Sequence, residues 1–531
     1  MKKLFTLAFL CLFALNSFAQ ELGTLNAEFG TDGAVVFDPT SSHDFMYKVL
    51  VQEDGKIITV GRARLDSKNY SIYVSRHNAD GTLDDMYGDG GYVFLKVDPL
   101  IYLNSAYDAD LGEDGYLYIT GYTYDYTNNT AFVICLDENG FENEDYGDKG
   151  YVVSEYGGGI VYEAIDIDAK GRPVVTGYID DNILVRRYNA KGKIDKTFGD
   201  NGSAIIKLDP SPLAWSYAYD IEILDNGKML LTGHKVSEDM LYESYLLRLN
   251  SNGDLDATFA DNGLLILNAG DYAEYATSIS VQADGKYLVG GHADLFTTEP
   301  LPRSGAHITR VNADGTIDET FGTDGFVRLE PFEGDGCINE TYSILAAEDG
   351  QIFGTVFSYN CNTGASRAYV YNLDANGQFK EDFAGSGIMA LPRFLEDEMN
   401  VRSLSLALQN NKRLLVGGYV SDTPSDQQLF LACINVDIKD NSPETPDDDA
   451  IEELTSSLLL YPNPVNDKLN IVTEVEIEEV VVYDALGRQQ DNKVTRQQGN
   501  MTIDVAGLNT GVYFVMIKTN DDVVMKQFVK K

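Results

Sequence analysis

The chain has 531 residues and a formal net charge of −43, from 83 acidic and 40 basic side chains. A surface with this much negative charge repels other polyanions, which excludes nucleic acids and anionic lipids as partners. The chain begins with the pattern of a secretory signal peptide, residues 1–19: Lys2 and Lys3, the apolar run Leu4 to Leu15, and the small-residue site Ser17-Phe18-Ala19. This run is too short to span a bilayer and no later segment is apolar enough, so we expect an exported protein without a membrane span.

A mark then repeats seven times, built from an aromatic residue, a glycine four positions after it and a glycine six positions before it. The spacing between successive aromatics is 52 to 62 residues. A period of this length indicates copies of one supersecondary unit. The aromatic residues are Phe29, Tyr87, Tyr146, Phe198, Phe259, Phe321 and Phe383.

Each unit contains a two-residue turn between apolar runs, such as Asp114-Gly115, which is a strong hairpin signal because both turn positions need positive φ. Around this turn, Ala106 to Leu111, Tyr116 to Gly121 and Ala131 to Leu136 are predicted strands, and Tyr151 to Val153 begins a fourth. Helical periodicity is absent from the repeats. Seven four-stranded units predict an all-β fold, a seven-bladed β-propeller, because a ring of blades leaves only short and protected edges.

Comparison of the units predicts an ion pair inside four of them. Arginine five residues before the earlier glycine occurs only in units with aspartate three residues after that glycine. Because the two residues are lost together, we expect a bidentate pair that fixes the loop to its strand. The pairs are Arg76 with Asp84, Arg187 with Asp195, Arg248 with Asp256, and Arg310 with Asp318.

The two ends of the repeat region complement each other. The run Leu431 to Asn435 matches the arginine-bearing strand, with Cys433 in place of arginine. Near the N-terminus, Asn26 stands at the aspartate position that follows Gly23. The pairing rule therefore holds if residues 23–37 complete the last unit. This predicts a ring closed by its N- and C-terminal segments, without a free sheet edge.

The unit pattern is an apolar strand, Asp-Gly-Lys, and then Arg-x-Asn-x-Asp-Gly-x-Leu-Asp-x-x-Phe-Gly-x-x-Gly, and its clearest copy is Thr309 to Gly325. In this it resembles the delta-60 repeat family, over about Gly23 to Asp437. The resemblance implies a propeller-like fold and no shared enzymatic activity. We assign residues 20–437 to this β-propeller.

The C-terminal part has a different pattern. Residues 438–455 are acidic and proline-bearing, which predicts a linker, and residues 456–531 predict a small immunoglobulin-like β-sandwich. The blocks Leu460 to Val465, Val482 to Arg488 and Leu508 to Val515 precede a basic end with Lys526, Lys530 and Lys531. This segment is similar to the type A C-terminal sorting domain of the Bacteroidetes type IX secretion system. The similarity implies export by that machinery, removal of the module, and release or attachment at the cell surface; the alternative is an ordinary immunoglobulin-like adhesion module.

One position, about seven residues after each turn glycine, carries mostly aromatic or polar residues. This ring either fills the space between units or contacts a ligand, since aromatic and polar groups suit sugar or peptide binding. The ring consists of Arg62, Tyr122, Tyr178, His234, His292, Phe357 and Tyr419.

No metal site or cofactor is expected. A metal held by His234 and His292 alone would have too few ligands. Acidic segments such as Asp166 to Gly171 resemble calcium loops, but they lack the full ligand spacing and are expected to be turns, with calcium as the alternative. Cys337 and Cys361 flank the turn Asp349-Gly350 and nearly face each other, which suits a disulfide; the alternative is two free thiols.

The sequence favours a secreted or cell-surface binding or scaffold protein without catalytic activity, whose ligand is a glycan or a peptide. Motifs for a nucleophilic serine, a zinc protease or a phosphate-binding loop are absent. No acidic pair stands out above the acidic background. The alternative is a secreted hydrolase or lyase that acts on polysaccharide or peptide and uses the propeller as its scaffold.

Overall fold

The computed structural model describes residues 21–40, 42–65, 69–98, 101–154, 159–268, 273–295, 303–329, 338–395, 400–423, 426–439, 459–461, 464–472, 477–484, 488–490, 493–497, 500–509, 511–519 and 523–531. In these ranges every regular element is a β-strand, and no helix long and apolar enough to cross a membrane occurs in them. The chain divides into two compact units, Met1–Asp440 and Asn441–Lys531. The predicted signal peptide, residues 1–19, and positions 440–455 of the predicted linker lie outside the described residues.

In the first unit, each of the first four sheets consists of four consecutive strands that pair antiparallel in chain order. The first sheet contains β2 (Phe45–Val51), β3 (Ile57–Ala63), β4 (Ser71–His77) and β5 (Tyr92–Leu95). The second contains β6 (Leu103–Leu111), β7 (Leu117–Tyr124), β8 (Asn129–Leu136) and β9 (Tyr151–Val153). The third contains β10 (Ile160–Asp168), β11 (Arg172–Ile179), β12 (Asn182–Arg187) and β13 (Ser203–Ile206). The fourth contains β14 (Trp215–Ile223), β15 (Met229–Val236), β16 (Tyr242–Leu249) and β17 (Leu264–Ile266).

The same pattern then occurs twice within one eight-stranded sheet. Its halves are joined by a single parallel pair, Ser304 with Ile338. The first half contains β18 (Glu274–Val281), β19 (Tyr287–Leu295), β20 (Arg303–Val311) and β21 (Phe326–Leu329). The second contains β22 (Ile338–Ala346), β23 (Ile352–Tyr359), β24 (Ser366–Leu373) and β25 (Ile388–Ala390).

The last sheet of the first unit is assembled from both ends of the repeat region. It contains β26 (Asn400–Asn410), β27 (Arg413–Thr423) and β28 (Asp426–Asn435), and its outer strand is β1 (Ala34–Phe37). Ala34 lies opposite Ala432 and Phe37 opposite Leu429. The predicted pairing of the N-terminal segment with the last repeat strand is therefore present.

The aromatic residue of each repeating mark packs between neighbouring sheets. All seven are 0% or 1% exposed. Gly81, the first glycine of the next unit's mark, has to be a glycine because it lies against the ring of Phe29. Its φ is +86°, and a Cβ at this position would lie 2.8 Å from that ring. Side chains cannot approach so closely without displacement, so the mark is a contact between successive sheets.

The second unit consists of two four-stranded antiparallel sheets that share one apolar core. Leu469, Ile503, Val482, Val515 and Phe528 contribute to this core. One sheet has the order β29 (Leu459–Tyr461), β30 (Lys468–Val472), β34 (Asn500–Asp504), β33 (Lys493–Gln497). The other has the order β32 (Gln489–Gln490), β31 (Ile477–Asp484), β35 (Gly511–Thr519), β36 (Val523–Lys530).

The four cysteines that follow the predicted signal peptide fall into two groups. Cys135 and Cys433 are buried free thiols, and burial raises the pKa of each to about 12. Cys361 is disulfide-bonded. Cys337, its expected partner, lies outside the described residues.

Candidate functional site

The first strand of each sheet in the first unit lines a central cavity of about 270 Å³. We call these strands, β2, β6, β10, β14, β18, β22 and β26, the cavity strands. Each has a register shift near its middle, such as the one between Ala106 and Asp108 on β6. A bulge re-aims the residue that it leaves unpaired. Residues at these shifts, among them Tyr47, Tyr107, Glu163 and Tyr219, accordingly line the cavity.

Six carboxyl groups line this cavity, together with a single cationic side chain. The cation is Lys48, whose Nζ lies 2.7 Å from Oδ1 of Asp108. No acidic pair stood out in the sequence above its acidic background, and this cluster was therefore missed. Asp166 was also expected in a turn, whereas it lies within strand β10. The six carboxyl groups belong to Asp108, Asp110, Glu163, Asp166, Asp220 and Glu222.

Four of these carboxylates connect successive cavity strands. Backbone N–H groups donate to them: Ile165 to Asp108 at 3.0 Å, Ile167 to Asp110 at 3.1 Å, Ile223 to Asp166 at 2.6 Å, and Ile279 to Asp220 at 2.7 Å. Each carboxylate therefore satisfies an N–H group on the cavity edge of the next sheet, which would otherwise be unpaired.

Serine hydroxyls make the equivalent connections on the other side of the cavity. The backbone N–H of Ile344 donates to Ser278 at 3.2 Å, that of Leu406 to Ser343 at 3.3 Å, and that of Val49 to Ser405 at 3.0 Å. The Lys48–Asp108 ion pair joins β2 to β6. These contacts connect all the cavity strands in order and return to β2.

The cavity carboxyl groups hold their protons more tightly than free ones. Burial raises the pKa of Glu163, Asp220 and Glu222 to about 7 each, and neighbouring carboxylates add to the effect on the last two. Burial, Glu222 and Asp110 raise the pKa of Asp166 to about 8. The cavity therefore contains carboxyl groups that hold protons near neutral pH. Two of them, Glu163 and Glu222, make no hydrogen bond or ion pair within the described part of the chain.

The seven residues of the sequence-predicted ring come together at the second strand of each sheet. Several face an aromatic or basic residue on the cavity strand: Arg62 is opposite Phe45, His234 opposite Tyr217, His292 opposite Tyr275, and Tyr419 opposite Arg402. We call the seven predicted residues together with Phe45, Tyr217, Tyr275 and Arg402 the collar. Sequence reasoning missed these last four residues. The only sequence feature that they share is a regular position before the turn of their unit.

Contacts between neighbouring sheets join parts of the collar. Ring centroids are 4.2 Å apart for Tyr178 and Tyr217, 5.0 Å for His234 and Tyr275, and 5.1 Å for Phe45 and Tyr419. Each of these pairs joins a second strand to the cavity strand of the adjacent sheet. Most collar rings are partly exposed, whereas His234 and Phe357 are buried at 4% and 8% exposure.

The collar adjoins one set of cavity-lining tyrosines. The hydroxyl of Tyr107 donates to that of Tyr122 at 3.3 Å, and the rings of Tyr219 and His234 are 5.4 Å apart. Burial, followed by the charge of His292, lowers the pKa of His234 to about 4, so this imidazole is neutral at physiological pH. Its Nδ1 is buried without a hydrogen-bond partner, as is that of His292.

The four expected arginine–aspartate pairs lie away from the collar, at the loop that follows the third strand. Their Nε–Oδ2 distances are 2.8 Å for Arg76–Asp84, 2.9 Å for Arg187–Asp195, 2.7 Å for Arg248–Asp256 and 2.8 Å for Arg310–Asp318. Each guanidinium also lies 4.4 to 4.7 Å from the aromatic ring of its own repeating mark. We call each arginine, aspartate and aromatic group a clamp.

The clamps differ from the expected bidentate fork. In Arg248, Nε donates to Asp256 while Nη1 donates to the carbonyl of Ala313, which belongs to the next sheet's loop. The other clamp arginines reach equivalent carbonyls, at Glu138, Ser251 and Ala375. Each clamp aspartate also contacts a second cation, which the sequence reasoning missed. In the sequence, this cation is the basic residue that directly follows the turn glycine. These cations are Lys56, Arg172, Lys228 and Lys286.

Fold and site together define an exported β-propeller, and two family models agree with this. The secretion system C-terminal sorting domain matches residues 459–531, and a domain of unknown function (DUF5122) beta-propeller matches residues 52–85, 224–259 and 282–321. The chain thus has a β-propeller region followed by a type IX sorting domain. The protein is recognised by the type IX secretion machinery and is secreted or held at the outer-membrane surface.

Solved structures similar to the chain include proteins from three organisms. A protein of unknown function from Dyadobacter fermentans is 12% identical with a TM-score of 0.40, and the match covers 76% of this chain and 98% of that one. A Lactobacillus plantarum protein is 11% identical with a TM-score of 0.40, covering 75% and 97%. The β-propeller domain of the trilobed protease from Pyrococcus furiosus is 9% identical with a TM-score of 0.37, covering 78% and 98%. Comparison with curated proteins gives no match.

Proposed function

We propose that the sheets of the first unit are seven blades of a closed propeller spanning residues 20–437, and that residues 456–531 form an immunoglobulin-like sandwich. The chain of contacts between cavity strands, which returns from β26 to β2 through Ser405 and Val49, supports a closed ring. The two sheets around one core support the sandwich. The clamps act as fasteners between neighbouring blades in this proposal.

The function that we propose is ligand binding without catalysis, at the cell surface or in the medium. The observation that carries this proposal is the collar, a set of mostly partly exposed aromatic rings that contact the cavity-lining tyrosines Tyr107 and Tyr219. Flat aromatic faces with a few polar groups suit the apolar faces and hydroxyls of sugars, and they also suit peptide side chains. Among the described residues no group of three His, Cys, Asp or Glu side chains is arranged to hold a metal ion, and the proposal assigns no cofactor.

A glycan fits the collar better than a peptide does. Extended peptides commonly bind by adding a strand to a free sheet edge. At the cavity edge, however, carboxylates and serines of the adjacent sheet already occupy the N–H groups of Ile165, Ile279 and Leu406. A peptide would therefore be left with side-chain contacts alone, whereas a sugar needs no free strand edge.

Glycan and peptide arrays probed with the mature protein test this proposal. We expect glycan binding that falls by about 5- to 30-fold in Tyr217→Ala and in Tyr275→Ala, since sugar stacking on one ring contributes on the order of 1–2 kcal/mol. The matched control is Phe94→Ala on outer strand β5, where the side chain is 36% exposed. Equal binding by all three variants would refute the collar as the binding site.

A hydrolase or lyase is the second candidate, and the uncommitted carboxyl groups of Glu163 and Glu222 favour it. Glycosidases use two carboxyl groups, one of which keeps its proton near neutral pH. Turnover of a polysaccharide that Glu163→Gln or Glu222→Gln abolishes, while the exposed Asp382→Asn leaves it intact, would establish this function. Turnover that survives both cavity substitutions would remove it.

A further inference from the structure

We propose that Arg62 makes the collar selective for anionic glycans, by pairing with the carboxylate of a uronic acid residue. This inference rests on the proposed glycan-binding function. It concerns one residue of the collar and the charge of the ligand that this residue would recognise.

Arg62 lies in the collar as a cation surrounded by aromatic rings. Its guanidinium carbon is 4.3 Å from the ring centroid of Phe45, 5.2 Å from that of Tyr70 and 5.8 Å from that of Tyr47. The Nε atom is buried and has no hydrogen-bond partner. Within the described part of the chain, no carboxylate forms an ion pair with it. The side chain is partly exposed, so an anion from solution has access to it.

Two cations near the collar, Arg402 and Lys48, and the four clamp arginines are paired with carboxylates. Arg402 has a similar setting, 4.2 Å from the ring centroid of Phe357, but it pairs with Glu340 at 3.3 Å. Lys48 in the cavity pairs with Asp108 at 2.7 Å. Because the protein as a whole carries 83 acidic residues, an arginine that has no ion-pair partner among the described residues, beside partly exposed rings, points to an anionic ligand.

The chemistry of Arg62 suits a carboxylate on a sugar. A planar guanidinium with a free edge donates two parallel hydrogen bonds to a carboxylate, and the flanking rings of Phe45 and Tyr47 stack on the pyranose. The cavity carboxyl groups do not cancel this attraction. Lys48, and not Arg62, is the cation that acts on Asp220 and Glu222, and their pKa values, raised to about 7 mainly by burial, leave only about half of each group ionised at pH 7.

Calorimetric titration of the mature protein at pH 7 tests this inference with matched pairs of oligosaccharides. The acidic members are oligogalacturonate, oligoguluronate and oligoglucuronate, and each is compared with its fully methyl-esterified form. We expect at least one acidic member to bind roughly 10- to 100-fold more tightly than its ester, the factor for a hydrogen bond to a charged group. This comparison changes only the ligand, so it does not depend on the folding of a variant.

Variants then assign the preference to Arg62. Arg62→Gln should bind the acid and the ester equally, with the affinity of the wild type for the ester, and Arg62→Lys should keep part of the preference. Arg413→Gln, which removes an arginine outside the collar that is already paired with Glu28, should keep all of it. An equal affinity of the wild type for acids and esters, or a preference that survives in Arg62→Gln, overturns the inference but leaves glycan binding in place. Failure of every saccharide, neutral ones included, overturns both.

Discussion

The clamps and the cavity contain two sets of covered carboxyl groups that behave in opposite ways. Asp256 of a clamp is 2% exposed and contacts two cations, Arg248 and Lys228, both at 2.7 Å. Asp220 of the cavity accepts a backbone N–H at 2.7 Å, and among the described residues it has no ion-pair partner. Burial acts to raise the pKa in both places, yet it is lowered for Asp256 and raised to about 7 for Asp220. Cations at contact distance, rather than hydrogen bonding alone, decide the ionisation state.

The difference assigns the two regions to opposite limbs of the pH–stability curve. In Asp195, hydrogen bonds from Thr197 and the charge of Arg187 overcome burial and lower the pKa to about 2. Its contribution is present above the unfolded-state pKa and is lost as the pH falls from about 4 towards 2. The raised pKa of Asp220 has the reverse sign: its contribution is complete below about pH 4 and is lost as the pH rises through about 7.

The largest expected effect follows removal of a clamp arginine. Arg248→Met leaves Asp256 with only Lys228 and breaks the bond to the Ala313 carbonyl, so the free energy of unfolding should fall by about 3 kcal/mol or more. Denaturant titration at pH 6 measures this. Asp256→Asn in the Arg248→Met background should cost less than it does alone, because the two residues form one interaction. Strictly additive losses would mean that the clamp is not an energetic unit.

Grafting a clamp into a sheet that lacks one sharpens the comparison from the other side. Cys135 stands at the arginine position of the second sheet and contacts Asn143, which stands at the aspartate position, at 3.6 Å. Cys135→Arg alone should destabilise the protein by about 2–3 kcal/mol, since it buries an unpaired charge. Adding Asn143→Asp should recover at least half of that loss in thermal or chemical denaturation. No recovery would show that the co-occurrence of the two residues has another cause.

Neutralising a cavity carboxyl group should stabilise the protein in alkali. Wild-type stability should fall between about pH 4 and pH 8 as the cavity ionises, whereas Asp220→Asn retains the acceptor for Ile279 without the charge. At pH 8 we expect this variant to be more stable than the wild type by on the order of 2 kcal/mol, and at pH 4 nearly equal to it. Asp256→Asn is the matched control, because it should destabilise at both pH values. Melting temperatures of both variants across this range provide the measurement, and a stabilisation of Asp220→Asn that does not grow with pH would contradict the assignment.

The smallest effect is expected at an exposed ion pair of the closing sheet. Arg413 and Glu28 are 3.0 Å apart, but the glutamate side chain is 73% exposed. Arg413→Gln should change the free energy of unfolding by less than about 1 kcal/mol, and less still in 0.5 M salt. A loss as large as that of Arg248→Met would mean that burial does not separate the two classes of pair.

Local chemistry explains what the sequence could predict. Turn pairs such as Asp114-Gly115 and the aromatic–glycine mark depend on neighbours within a few residues, and repetition allowed one unit to be compared with the others. The same comparison predicted that β1 pairs with β28, and it placed the seven sequence-predicted residues of the collar at equivalent positions. Each of these inferences needed only the alignment of the units with one another.

The cavity carboxyl groups escaped prediction for two physical reasons. With 83 acidic residues in the chain, an aspartate on a strand looks like any solvated charge. The bulge between Ala218 and Asp220 also breaks the alternation from which side-chain direction is normally read. The clamp's bond from Arg248 to Ala313 was missed because it depends on how neighbouring sheets pack, which no single unit encodes.

Because β1 pairs with β28, the chain ends could lie at another loop of the first unit without a change in how the strands pair. The backbone N–H of Gly23 donates to the carbonyl of Asn435 at 2.9 Å, although the two residues are 412 positions apart in the sequence. The entropy of closing so long a loop grows only slowly with its length, by about 0.6 kcal/mol per doubling. A short linker between these two residues, with new termini opened between β13 and β14, should give a circular permutant in which every sheet is built from contiguous chain. The chain ends can thus be moved to a loop between two other sheets of the first unit.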